Sequence, residues 1–140
     1  MERVELWQPD IRIPKQLLDL DGWKWDEHGL RVSLTDDRYR YSAIFEGQVI
    51  AFRSTLEHVY LRFRDRYGEW RKKLNLNCAY SFFVLYETEY IQWLNNQHYD
   101  IYNDIQDSVR HFVFVTEDEI IEVLDNKEPK FLIEEIRISR

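Results

Sequence analysis

The stretch Tyr80-Ser-Phe-Phe-Val-Leu-Tyr86 is apolar on both of the faces that a strand would present. A strand with one wet face alternates apolar and polar side chains, so this one must be covered on both sides, as a central sheet strand is. A chain of 140 residues is long enough for one domain and short for two, and it can bury a core without covalent staples. The core material is aromatic: eight Phe, nine Tyr and five Trp make up 16% of the chain, while Gly (4) and Pro (3) are scarce. Such a composition offsets its ordering entropy by burial, which excludes a disordered chain.

Around that central strand the sequence alternates at period two. Leu30, Val32 and Leu34 interleave with Arg31, Ser33 and Thr35, Asp36-Asp37 turns the chain, and Tyr39, Tyr41, Ala43 and Phe45 alternate next. Glu46-Gly47 reads as a turn or bulge before a strand over 49–52. At Ser54 the period changes. Ser54 and Glu57 have capping-box spacing, and Leu56, Val59, Tyr60, Phe63 and Tyr67 form one helical stripe that Gly68 would close as a C′ residue. The pattern predicts a helix over about 55–67, then a loop over 69–78 with one helical turn.

Thr88 is placed to cap a second helix over 88–96 that buries Tyr90, Ile91 and Leu94. Val109–Thr116 and Glu119–Asp125 are expected to form a hairpin around Glu117-Asp118. Thr116 and Glu119 also match a capping box, but only about eight helical residues would fit before Pro129, and β-branched residues dominate. A last strand over 131–138 carries Glu134-Glu135 and suits a sheet edge. Pro9 and Pro14 interrupt regular structure in the first 30 residues, where Trp7, Trp23 and Trp25 suggest a packed segment. The expected fold class is α+β: a single domain, residues 1–140, with a mainly antiparallel twisted sheet of about six to seven strands and two helices.

Chemistry is harder to find. There is no Gly-rich phosphate loop, His-Glu-x-x-His, Gly-x-Ser-x-Gly or Cys-x-x-Cys, and the single Cys78 excludes an intramolecular disulfide. His111 opens a buried strand and reads as hydrogen-bonded, His58 as solvated, and His28 as part of the Asp26-Glu27-His28 turn. His98 precedes Asp100, Asp104 and Asp107, oxygen ligands for a hard cation, but the run lacks the ligand alternation and glycine of an EF-hand. Glu87 and Glu89 diverge if extended, and the helix dipole accounts for Glu89. The expectation is a chain that is not an enzyme and carries no cofactor or metal. A formal charge of −7 argues against general nucleic-acid binding. The N-terminus lacks a signal-peptide core and no apolar run reaches about 20 residues, so a cytoplasmic protein without a membrane partner is expected.

Charge distribution is more informative. From Arg53 to Lys73 seven basic residues face three acidic ones, whereas Glu87 to Glu128 holds eleven acidic and two basic. Within the acidic block, His98-Tyr-Asp-Ile-Tyr-Asn-Asp104 sets rings among carboxylates, the composition of a patch that steers and anchors a basic protein partner. Alternatively the same rings pin a long loop to the core.

Two stretches carry a family resemblance. Phe83-Val-Leu-Tyr-Glu-Thr-Glu-Tyr-Ile-Gln-Trp-Leu94 with Tyr99-Asp-Ile-Tyr102, and His111-Phe-Val-Phe-Val-Thr-Glu-Asp-Glu-Ile-Ile-Glu-Val-Leu124 with Glu128-Pro129, resemble patterns in small acidic proteins of Bacillus-type bacteria. These are similar to immunity proteins that neutralise polymorphic secreted toxins. The resemblance spans roughly residues 80 to 130, implies a core role for Tyr90 and Trp93, and carries over no catalytic residue. It implies a non-enzymatic immunity protein that occludes a basic toxin. The expected partner-binding residues are Tyr99, Asp100, Tyr102, Asp104 and Asp107, with Glu117, Asp118 and Glu119 of the turn. The alternatives are a structural or regulatory subunit forming a homo-oligomer, and a hydrolase or metal enzyme using His98; oligomeric state is left open.

Overall fold

The computed structural model describes residues 2–56, 61–97 and 109–136. The elements run β1 (Arg3–Leu6), β2 (Asp19–Asp26), β3 (Gly29–Thr35), β4 (Tyr39–Glu46), β5 (Ala51–Leu56), α1 (Leu61–Lys73), β6 (Phe82–Tyr86), α2 (Glu89–Gln97), β7 (Arg110–Val115), β8 (Glu119–Asp125) and β9 (Lys130–Glu135). The fold is α+β, but with nine strands in two antiparallel sheets rather than six to seven in one. One sheet has the order β1-β6-β7-β8-β5 and the other β2-β3-β4-β9. The additional strands, β1 and β2, come from the first 30 residues, where prolines and irregular spacing obscure the alternation.

β6 lies between β1 and β7, and both of its faces are covered, as its two-sided apolarity requires. Phe82 meets Phe114 and Phe131 edge-on at 5.8 and 5.6 Å, on the side of the four-stranded sheet. Phe83 meets Trp70 and Tyr67 of α1 at 5.4 and 5.7 Å, on the opposite side. β7 repeats the arrangement: Phe112 faces Phe45 at 5.4 Å, while His111 faces Tyr90 of α2 at the same distance. Four-stranded sheet, five-stranded sheet and helices are thus three successive layers, and one hydrophobic cluster includes residues of both sheets. Each Phe buried there contributes about 1.5–3 kcal/mol relative to exposure. Trp7 sits edge-on to Phe82, Phe112, Phe114 and Phe131, and its indole N–H donates to Glu128 Oε1 at 2.7 Å. That contact ties the N-terminal segment into the core.

The first helix is displaced from its expected place. β5 continues through Leu56, and Ser54 pairs with Ile121 and donates its hydroxyl to Glu119 Oε2 at 2.7 Å instead of capping a helix. Pairing with β8 outcompetes the local capping signal because the ladder satisfies every backbone group on the side of β5 that faces β8 rather than two N–H groups. Leu56 is therefore on a strand and exposed, while Phe63, Tyr67 and Trp70 form the buried stripe at i, i+4 and i+7. The helix runs past Gly68 into the segment expected as loop and ends at Asn75, whose φ is 52°. There Asn75 N–H donates to Lys72 C=O and Leu76 N–H to Arg71 C=O, the paired bonds of a Schellman motif. The hairpin of β7 and β8 forms as expected. Its turn is closed by Thr116, whose hydroxyl accepts the Glu119 N–H and donates to the Glu119 carbonyl. β9 is the expected edge strand.

Candidate functional site

Three neighbouring strands and one helix bring four polar side chains together beneath α2. Arg53 on β5 stands directly opposite Glu122 on β8, and Glu122 in turn opposes Val113 on β7. His111, two residues before Val113, is then diagonal to Glu122 on the same face. Arg53 donates through Nε and Nη2 to the Glu122 carboxylate at 2.5 and 3.1 Å, with its guanidinium 4.0 Å from the centroid of the Tyr90 ring. His111 Nε2 lies 2.9 Å from Glu122 Oε1, and Nδ1 lies 2.9 Å from Thr88 Oγ1. The carboxylate can only accept, so the proton is on Nε2; Nδ1 then accepts from the Thr88 hydroxyl. Thr88 completes the chain by accepting the Ile91 N–H at 3.3 Å, as an N-cap residue does.

The charges in this cluster follow from burial. Glu122 and His111 side chains are each 2% exposed, against 41% for Arg53. Burial pushes the His111 pKa below its ordinary 6.5, outweighing the hydrogen bond and charge of Glu122, which favour the protonated form. Arg53 adds a smaller push in the same direction as burial, so the imidazole stands neutral. Burial also opposes ionisation of Glu122, but hydrogen bonds from His111 and Arg53 outweigh it and lower its pKa to about 2. Glu122 is accordingly an ionised carboxylate held by a guanidinium.

A cavity of about 610 Å³ opens beside the cluster, lined among others by Arg53, Arg62, Arg66, Glu89, Trp93 and His111. The order carboxylate–imidazole–hydroxyl is that of a hydrolase triad, with Thr88 in the nucleophile's place. Thr88 is, however, 1% exposed, its proton is given to His111 and a lone pair is occupied by the Ile91 N–H. The arrangement fastens the N-terminus of α2 to the sheet, and Thr88 itself lies along the wall of the cavity. Among the described residues no group of three or more His, Cys, Asp or Glu is placed to hold a metal ion.

The expected acidic and aromatic patch is only partly within view. Tyr99, Asp100, Tyr102, Asp104 and Asp107, like His98, lie outside the described residues. Glu117 and Asp118 are exposed at the tip of the β7–β8 hairpin, and Glu119 is half-buried, its carboxylate accepting from Ser54. The chain leaves the 98–108 segment at Val109 and reaches Glu117 only after the six residues of β7, about 20 Å of strand. The turn and the point where that segment joins the sheet are therefore at opposite ends of β7.

Trp93 departs from its expected core role: it is 51% exposed, while Tyr90, Ile91 and Leu94 of the same helix are buried. Positions 90, 91 and 94 define the inward stripe, and 93 falls outside it. Trp23 and Trp25 also remain exposed, packed only at one side against Phe52 at 4.7 and 5.8 Å. The polar cluster itself was missed by motif reasoning, because its members are distant in sequence. The signal available was Glu122, a lone charge inside an otherwise apolar strand, which requires a buried partner. No helix among the described residues is long and apolar enough to cross a membrane. No family model, curated protein or solved structure matches the chain.

Proposed function

We propose that the chain is a non-enzymatic protein-binding module of the immunity type, which neutralises a basic toxin by covering it. The observation that carries this reading is Trp93, a large ring left half-exposed on α2 immediately before the acidic run that contains Tyr99, Asp100, Tyr102, Asp104 and Asp107. Tryptophan is the side chain most often found to anchor an interface, because its area is large and it has few rotatable bonds to immobilise. Carboxylates around such an anchor raise the rate of encounter with a basic partner and discriminate against acidic ones.

The test is growth protection: the chain is co-expressed with the product of each gene adjacent to its own. Protection by the wild type, lost on Trp93→Ala and on combined Asp100→Lys, Asp104→Lys and Asp107→Lys, is the expected result. Binding to the same protein measured by calorimetry is expected to weaken steeply between 50 and 500 mM salt, because the Debye length falls from roughly 14 to 4 Å. Protection that survives both sets of substitutions would remove the acidic–aromatic surface from the mechanism.

A further inference from the structure

The four-stranded sheet ends at β2, whose outer backbone edge pairs with no other strand among the described residues. β2 is eight residues long, and after an irregularity between Leu20 and Gly22 it runs in register against β3 from Gly22 to Asp26. Trp23 and Trp25 stand opposite the fully buried Val32 and Leu30, so their rings belong to the face between the sheets. At this margin the cover is incomplete. Phe52 of β5, itself the edge strand of the other sheet, touches both rings, yet they remain 45% and 44% exposed. The result is an aromatic ledge between two strand edges.

The opposite face of β2 is acidic. Asp19 opposes Thr35 and Lys24 opposes Arg31, so Asp19, Lys24 and Asp26 share the outer side of the sheet. Asp26 takes Lys24 at 3.5 Å, and Asp21, at the irregularity, takes Arg40 at 2.8 Å. With Glu27 in the following turn, the strand and turn carry four carboxylates; Lys24 and Arg40 neutralise Asp26 and Asp21, and Asp19 and Glu27 leave an excess of two negative charges. A second copy of this chain paired through β2 would bring two such sets of carboxylates into one seam, which like-charge repulsion opposes.

We propose that the β2 edge is a docking site for an extended basic segment of a partner protein, added as a further strand beside β2. Successive side chains of an added strand fall on opposite faces. One set would lie on Trp23, Trp25 and Phe52, and the other beside Asp19, Asp21 and Asp26, so the segment that fits alternates apolar and basic residues. Main-chain hydrogen bonds to the open edge supply the attachment, and the alternation supplies the selectivity. The site uses the face of β5 opposite to Arg53 and stands independently of the Trp93 surface.

The full chain, isotope-labelled, is titrated by NMR with an eight-residue peptide alternating Lys and Val, and with a Glu–Val peptide of the same length. The expected result is a set of shifts confined to residues 19–26, the indole N–H signals of Trp23 and Trp25, and β5. The Lys–Val peptide is expected to bind at least about tenfold tighter than the Glu–Val peptide. Trp23→Ala and Trp25→Ala are each expected to weaken it about tenfold, the scale of an anchoring tryptophan, while Lys24→Glu strengthens it. Equal binding of the two peptides, no binding, or shifts centred elsewhere would overturn the proposal. So would a dimer formed through β2, which would assign the edge to a second copy.

Discussion

Acidification is expected to weaken this fold through His111 well before the carboxylates titrate. In the native state the imidazole is buried and held neutral, its pKa pushed below 6.5 by burial and by Arg53; unfolding returns it to its ordinary value. The unfolded chain therefore binds a proton that the native chain does not, and stability falls as pH drops below 6.5. If His111 stays neutral in the native state, one such group costs about 1.4 kcal/mol at pH 5.5. Glu122 acts in a lower window. Its native pKa of about 2, against 4.5 when free, gives stability that is present above 4.5 and lost as pH falls from there towards 2. The His111 effect sets in first, below pH 6.5, and the Glu122 effect only below 4.5. The assay is urea unfolding of the wild type and of His111→Gln at pH 7.5, 6.5 and 5.5. Gln keeps a donor for Glu122, so the variant is expected to lose about 1–3 kcal/mol at pH 7.5 and remain folded. Between pH 7.5 and 5.5 the wild type is expected to lose about 1.4 kcal/mol more than the variant. Imidazole NMR is expected to show His111 untitrated through that range. Parallel pH dependences, or a native His111 titrating at or above 6.5, would refute a buried neutral imidazole.

Thr88→Ala removes the α2 cap and the partner of His111 Nδ1 together, and is expected to cost about 1–2 kcal/mol in urea unfolding, with Thr88→Ser restoring most of it. Asn75→Gly, at a φ of 52°, is expected to raise the melting temperature slightly, and Asn75→Ala to lower it. Gly29 has a φ of 126°, and a Cβ there would lie 2.0 Å from the Phe45 carbonyl oxygen. Gly29→Ala is therefore expected to disrupt the β2–β3 hairpin, seen as lost amide protection in β2 and β3 by hydrogen exchange. Phe112→Ala, between the sheets, is expected to cost about 3–5 kcal/mol in urea unfolding.

What was legible in the chain follows period and contrast. The alternation of Leu30–Thr35 and Tyr39–Phe45, the two-sided run at 80–86, of which β6 takes the last five residues, and the Thr88 cap all appear where the local pattern places them. In each case the neighbours in sequence and the neighbours in space demand the same conformation. Ser54–Tyr67 fails that condition, because its capping-box spacing and its strand pairing with β8 are alternatives for the same backbone. The long-range ladder wins, and nothing within the segment announces that Ile121 will be opposite Ser54.

The same division holds for the site. By itself the sequence determined that a strand within 80–86 must have a layer on each side, that Thr88 caps the second helix, and that the chain is acidic towards its C-terminal half. Only the tertiary structure decided that Arg53, from the basic block, neutralises Glu122 beneath Tyr90, and that Trp93 and the Trp23–Trp25 pair remain exposed. The reason is geometric. A side chain's burial depends on which strand lies beside its own and where the sheet stops, and strand order β7-β8-β5, which sets Arg53 against Glu122, is a property of pairings 69 residues apart.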